Sequence, residues 1–400
     1  MSKVTIKDIA QRAGVSKTTV SFALNHPDRL SKETYKRIMA IIDELGYVPN
    51  PFARSLTTKR LGAIGLLLPQ KIGDIFANPH MTQVISGIGE ECERREFSLA
   101  ILPLIRGRII EAARKSYVDG LITIGVGPGH EVVSLLKQNH IPFVTIDGEE
   151  SASIINIGID QKNAAADLMR HVLKRGHQRL AILALEPDTK PSGSEISSIV
   201  VQRRLEGFQA VLKDAGLSIT DTRVFLQNCK GSIQSGYESA YHILSLDQRP
   251  TAIVAMSDIT AIGAMIAARE LGLEIPEDVA VAGFDDIPES VLVSPRLTTI
   301  HQPDRDKGAE AARMVINMLN GSSGQHIKLP YQLIVRESVS YTHLRAHETP
   351  EHLVCRLLLE KKKKHNNQHN NLTLNNASYP ITPTFIPNSR NPSTISYYHA

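Results

Sequence analysis

Gly14 closes one amphipathic helix and Ser16 opens the next, which commits the N-terminus of this chain to two short helices joined by a tight turn. Thr5 can cap the first helix, Asp8 stands at its third position, and Ile6, Ile9, Ala10 and Ala13 share a face. Glycine at position 14 accepts the left-handed conformation that a helix C-cap requires. Val15 packs inward, and Ser16 caps a second helix from Lys17 to Leu24. Its Val20, Ala23 and Leu24 face a core, while Lys17, Thr18 and Ser21 face outward. Phe22 fits either the outer face or the core. Lys32 to Leu45 reads as a third helix, capped by Ser31, striped by Ile38, Ile41, Ile42 and Leu45, and ended by Gly46.

Charge gives the helical segment a partner. Residues 1–60 hold eleven Lys and Arg against five acids, a net +6, and the rest of the chain carries −2. A basic block on a nearly neutral body points to a polyanion. Two short helices across a glycine turn, with hydroxyls and a lysine exposed on the second, suit reading of a major groove. A three-helix protein-interaction domain is the alternative for such a pattern.

The motifs are more specific than the charge. Val4-Thr5-Ile6-Lys7-Asp8-Ile9-Ala10, Ala13-Gly14-Val15-Ser16, Thr19-Val20-Ser21 and Gly46-Tyr47-Val48-Pro49-Asn50, followed by Ala53-Arg54-Ser55-Leu56, resemble the signature of LacI/GalR-family regulators. The resemblance extends to about residue 337. It implies a helix-turn-helix headpiece over 1–48, a hinge over 49–60, and an effector-binding and dimerisation core of two doubly wound subdomains over 61–337. It further implies a homodimer on pseudo-palindromic double-stranded operator DNA. Lys17, Thr18 and Phe22 match base-reading positions, and Thr5, Ser16, Ser21 and Asn25 match positions that contact phosphates. Phe22 departs from the Arg or His common there: a phenyl ring meets a thymine methyl but cannot hydrogen-bond a base edge. Asn50, Ala53 and Leu56 match the hinge, where the residue matching Leu56 wedges into the minor groove and unstacks a base step.

From Leu61 the pattern changes. Apolar runs at 63–68, 98–102, 120–124, 142–146, 180–185, 251–256 and 279–284 alternate with helical periods at 81–94, 162–174, 202–215 and 260–271. That alternation predicts parallel sheets covered on both faces, with the chain crossing between two units around 155–161. A cleft between strand C-termini suits a small polar ligand. The resemblance places Asp147, Arg204 and Asp285 in that cleft, Ser257 where an asparagine is common, and Asn78, His80 and Met81 at its lip. Carboxylates there accept from hydroxyls and a guanidinium clamps a polar group; a structural ion pair is the alternative for each. Gly231 stands where many sugar-binding members carry a stacking aromatic, and the chain has no Trp.

Other readings are excluded or discounted. No run approaches the roughly 20 apolar residues of a membrane span, and the first residues lack a signal-peptide apolar region. Cys92, Cys229 and Cys355 have no metal or redox spacing, which predicts a reducing, cytoplasmic location without metal or cofactor. Gly125-Val126-Gly127-Pro128-Gly129 lacks dinucleotide spacing and reads as a strand-to-helix turn. No nucleophile–base–orienter pattern stands out, so catalysis is not expected. The polar 187–198 stretch reads as a surface loop. Leu333 to Glu337 reads as a last strand, and residues 338–400, through Lys361–Lys364, look like a translated sequencing adapter running into poly-adenine. They are expected to be non-native and disordered from about residue 340; a basic nucleic-acid-binding tail is the alternative. The leading reading is a ligand-controlled repressor, with an activator or corepressor-dependent regulator, a solute-binding module and an enzyme on the same scaffold as rivals.

Overall fold

A computed structural model describes residues 4–47, 60–68, 70–106, 108–152, 154–186, 188–189, 195–196 and 198–339. Asn50, Ala53 and Leu56 of the expected hinge, and the tail from residue 340, lie outside the described residues.

Three helices form the N-terminal segment: α1 (Ile6–Ala13), α2 (Lys17–Asn25) and α3 (Lys32–Leu45). Gly14 and Gly46 close α1 and α3 with φ of 64° and 58°, the left-handed values their positions call for. Ser16 and Ser31 accept from the backbone N–H of Thr19 and Thr34 at 3.0 and 3.2 Å, which supplies donors at the helix starts with partners. Ile9, Ala10, Ala13, Val20, Ala23, Ile38 and Ile42 make one small core.

The larger body contains two parallel sheets. The first orders six strands as β13-β5-β4-β3-β1-β2: Ile327–Lys328, Ile155–Gly158, Phe143–Ile146, Gly120–Ile124, Ala63–Leu67 and Ser98–Leu102. The second orders four as β11-β10-β6-β9: Ala280–Ala282, Ala252–Ala255, Leu180–Leu185 and Val224–Cys229. Helices α4 (Ile72–Ala77), α5 (Pro79–Arg94), α6 (Ile109–Arg114) and α7 (Glu131–Gln138) follow strands of the first unit. α8 (Gln161–Leu173), α9 (Ile199–Asp214), α10 (Ile233–Leu244) and α11 (Asp258–Glu270) belong to the second, and α12 (Asp304–Leu319) returns to pack on α5. Separate apolar cores lie on each side of each sheet.

The chain passes between the units three times, not once. It leaves the first sheet after β5, returns between β12 (Thr299–His301) and α12, and leaves again between β13 and β14 (Gln332–Ile334). β12 and β14 pair antiparallel, with Ile300 opposite Leu333. α12 fits against α5 because Gly87 and Gly308 face each other's backbone; a Cβ on either would collide with the Arg305 or Val84 carbonyl. That close approach fixes the depth of the neighbouring Lys307.

Two expectations differ from what is observed. Residues 188–189 and 195–196 pair as a short hairpin, β7 with β8, within the stretch read as a loop. The core also runs past Glu337. Ser338 is fully buried, its hydroxyl donating to the Val281 carbonyl at 2.6 Å and accepting from Thr298 N at 2.8 Å, and Val339 joins the second unit's core.

Candidate functional site: a two-unit cleft and an exposed helix face

On the N-terminal segment, Thr5, Ser16, Lys17 and Thr18 are exposed, and Ser21 and Phe22 are half-buried. Lys17 and Thr18 sit on the first turn of α2 and are free of the core cluster. Ser16 is occupied as the cap of α2, and Thr5 turns its hydroxyl to Asp8 at 2.7 Å. Phe22 is not a core residue. Its ring lies edge-on to His26, with centroids 6.3 Å apart, and the Arg29 guanidinium stands 5.6 Å from it. Asn25 ends α2.

In the body, the two strand-end carboxylates are held in unusual backbone. Asp147 follows β4 with φ of 50° and Asp285 follows β11 with φ of 120°. Non-glycine residues in these regions cost about 1–3 kcal/mol each and persist where surrounding contacts over-determine them. At Asp147 part of the cause is visible: Gly158 on β5 gives it room, since a Cβ there would stand 2.7 Å from the carboxylate.

Four buried side chains join these two carboxylates in a closed ring of six. Lys307 Nζ donates to Asp147 Oδ2 at 2.7 Å and to Gln302 Oε1 at 2.5 Å. Gln302 Nε2 donates to Asp285 Oδ1 at 2.7 Å, and Arg204 Nη2 reaches the same oxygen at 3.5 Å. Arg204 Nε donates to Gln161 Oε1 at 2.9 Å, and Gln161 Nε2 closes the circuit on Asp147 Oδ1 at 3.0 Å. Arg204 also bonds the Met256 carbonyl, and its guanidinium lies 3.5 Å from the Phe284 ring centroid. Beside the ring, His80 Nδ1 stands 2.5 Å from Asp304 Oδ2.

The electrostatics follow from burial and pairing. Burial pushes the Asp147 carboxyl up, but Lys307 and Gln161 more than offset this and hold it below the usual carboxylate range. Asp285 is raised chiefly by burial, against His80 and Arg204. Burial alone would lower the His80 imidazole; Asp304 and Asp285 carry it above its ordinary value. Asp258, at the start of α11, accepts from the Thr299 hydroxyl at 2.6 Å and Ile287 N at 3.0 Å. Burial and the Asp285 charge push it up to about 8.

Two buried polar atoms at the cleft, Ser257 Oγ and Asp304 Oδ1, lack a hydrogen-bond partner. A cavity of about 400 Å³ opens alongside, between Asp147–Glu150 of the first unit and Ile199, Val200 and Arg203 of the second. Asn78 is spent as the cap of α5, accepting from His80 N at 3.1 Å. Met81 is not at a lip: with Val84 and Ile88 it forms the inward face of α5 and is packed in the first unit's core.

Gln161, Asp258, Gln302, Asp304 and Lys307 escaped the sequence reading. One signal was present: Lys307 occupies the apolar face of α12, in helical register with Ala311, Met314 and Val315. Among the described residues no helix is long and apolar enough to cross a membrane, and no group of His, Cys, Asp and Glu could hold a metal ion.

Residues 5–50 match the profile of bacterial regulatory proteins of the lacI family, and residues 169–339 match a periplasmic binding protein-like domain. The HTH-type transcriptional repressor PurR of Klebsiella pneumoniae is 31% identical over 346 residues, covering 84% of this chain and 97% of that protein. A lac repressor dimer bound to operator and the anti-inducer ONPF superposes with a TM-score of 0.71 at 25% identity, over 85% of this chain and all of that one. A CelR–cellobiose complex gives 0.59 at 25% identity, over 84% of this chain and 100% of that chain. Three α-helices with an exposed second helix, joined in one chain to paired parallel-sheet units, agree with these likenesses, and the chain belongs to the LacI family of DNA-binding transcriptional regulators.

Proposed function

We propose that this regulator is a homodimeric, cytoplasmic repressor that reads a pseudo-palindromic operator and is controlled by a sugar-like effector in the cleft. The observation that carries the effector reading is the convergence of Asp147, Arg204 and Asp285 from both units, next to Ser257 Oγ and Asp304 Oδ1, which make no hydrogen bond. Buried polar atoms are seldom left unpaired, so two at one cleft favour a polar ligand. The cellobiose bound by CelR supports a saccharide as its class. His80 contributes through Asp304, while Asn78 and Met81 act as scaffold. Residues 1–48 present Thr5, Ser16, Lys17, Thr18, Ser21, Phe22 and Asn25 to DNA. Residues 49–60 supply Asn50, Ala53 and Leu56, residues 61–339 bind the effector, and the remaining tail is non-native.

Exposed apolar side chains support the dimer. Ile72 and Phe76 on α4, and Leu226, Ile233, Tyr241 and Ile266 on β9, α10 and α11, are each more than a third exposed. Apolar groups clustered on neighbouring elements mark association surfaces. An effector that strengthens DNA binding, rather than weakening it, is the second reading on the same geometry. The relatives of this chain are transcriptional regulators rather than enzymes, which favours binding without turnover.

Operator selection from random duplexes tests the DNA role, with sedimentation of the full chain for its mass. Leu56→Gly should abolish most specific affinity and leave effector affinity intact. Substitution of Lys17 or Thr18 should change base preference, each good contact being worth about 1–3 kcal/mol. Unchanged operator binding in Leu56→Gly, or a monomeric mass, would contradict the proposal.

A further inference from the structure

The ring contains two cations, two carboxylates and two amides in strict order, and three of its members have no assigned role. We propose that Lys307, Gln161 and Gln302 belong to the effector site, and that the ring selects an uncharged polyhydroxylated effector over an anionic one. This rests on the reading of the cleft as a small-molecule site.

Each cation donates once to a carboxylate and once to an amide oxygen. The amide oxygens are thereby occupied, and both amide nitrogens must point at carboxylates: Gln302 at Asp285, Gln161 at Asp147. A hydroxyl donates and accepts, so it can take the place of an amide in either gap. A phosphate or carboxylate only accepts. It could engage Arg204 or Lys307, but would strip Asp147 or Asp285 of its amide donor and set its own charge against that carboxylate, with one cation shared between them.

Charge leads to the same selection. Lys307 and Arg204 balance Asp147 and Asp285, and His80 faces Asp304 as the next pair. An anion entering this dry floor would add a buried charge with no cation to meet it. The cations of the adjoining cavity are already engaged: Lys162 and Arg203 with Glu206 at 3.8 and 3.2 Å, Lys328 with Asp160 at 3.8 Å. Asp304 Oδ1 has no hydrogen bond and stands 3.5 Å from Lys307 Nζ, so a hydroxyl can donate to it where an acceptor-only ligand cannot. Burying an ammonium costs several kcal/mol even when paired, so a helix face suited to Leu or Met carries Lys307 at a penalty. Setting the direction of Gln302 and Asp147 gives that penalty a use.

Calorimetric titration of the full chain tests this, using D-ribose, D-glucose and cellobiose against ribose 5-phosphate and glucose 6-phosphate. At least one uncharged probe should bind, and its phosphate ester should bind at least 100-fold more weakly. Lys307→Met should weaken the uncharged probe at least tenfold, and Lys307→Gln, which keeps a donor and is the gentler change for folding, should weaken it less. A phosphate ester that binds as tightly as its parent sugar would overturn the charge selection. Wild-type sugar affinity in both folded variants would place Lys307 outside the site. Silence from every probe, charged or not, would instead overturn the sugar-type reading of the cleft on which the proposal rests.

Discussion

Replacing Asp258 by Asn should stabilise the protein, and by an amount that depends on pH in a calculable way. The carboxyl is fully buried, takes hydrogen bonds from Thr299 and Ile287, and lies near Asp285; burial and that charge push it up to about 8 from 3.8. A carboxyl with a raised folded pKa binds a proton in the native state that the unfolded chain has already released. Stability therefore falls as pH rises from about 4 through about 8. Within that window the slope is about 1.4 kcal/mol per pH unit. Asparagine keeps one acceptor for the Ile287 N–H and offers an amide to the Thr299 hydroxyl, while removing the titration. Urea unfolding at pH 5.5, 6.5 and 7.5, with m-values equal between the two proteins, reads the difference. The advantage of Asp258→Asn over wild type should grow by roughly 2–3 kcal/mol across those two units. Parallel stability curves would refute the burial argument, because an Asp258 ionised throughout contributes no slope.

Three further outcomes follow from packing and pairing. Gly308→Ala should cost about 1–3 kcal/mol through overpacking against the Val84 carbonyl, read as a lower melting temperature, with Gly87→Ala behaving alike. Ser338→Ala should cost roughly 1–3 kcal/mol, since Thr298 N and the Val281 carbonyl both lose their partner in a dry site; a chain ending at 337 should melt lower than one ending at 339. The raised His80 contributes stability that is complete below its ordinary value of 6.5 and is lost as pH rises through its folded value. His80→Gln should therefore melt closer to wild type at pH 8 than at pH 6.

The N-terminal helices were legible because everything that specifies them is local: a cap, an apolar face and a glycine stop within a dozen residues. Their ends fell within a residue of expectation, Asn25 rather than Leu24 closing α2. The parallel strands were legible from their apolar runs. The extra crossings were not: a last strand is expected from Leu333, but its antiparallel partner, the three-residue Thr299–His301, is too short to declare itself. The ring was hidden for a related reason. Gln161 and Gln302 are 141 positions apart, and glutamine carries no pattern that distinguishes a buried bridge from a surface side chain. Lys307 was the exception, because a lysine in register with Ala311 and Val315 breaks the helix's own rule. Asp147, Arg204 and Asp285 came from resemblance and lie together; Met81 was drawn to the lip by the same resemblance, but its helical face turns it inward.

The position of the two glutamines explains how a ligand in the cleft would reach the relative orientation of the units. Gln161 begins α8 directly after the first crossing, and Gln302 lies on the second, between β12 and α12. The ring therefore crosses between units at the points where the chain itself crosses. Arg204 to Gln161 and Gln302 to Asp285 are charge-assisted bonds of 2.9 and 2.7 Å. Each such bond contributes about 1.5–3 kcal/mol. An effector that trades them for its own hydroxyls changes the balance between two arrangements by the difference in those energies. Allosteric couplings are typically about 1–3 kcal/mol, the size of one such bond. Asp147 and Asp285 supply the second part of the device: their strained backbone is held by ring partners, so exchanging a partner also releases or redirects strain at the ends of β4 and β11. The carboxylates that would recognise the effector thus follow one strand from each sheet, interior β4 and edge β11, and a local exchange of hydrogen bonds acts directly on both units.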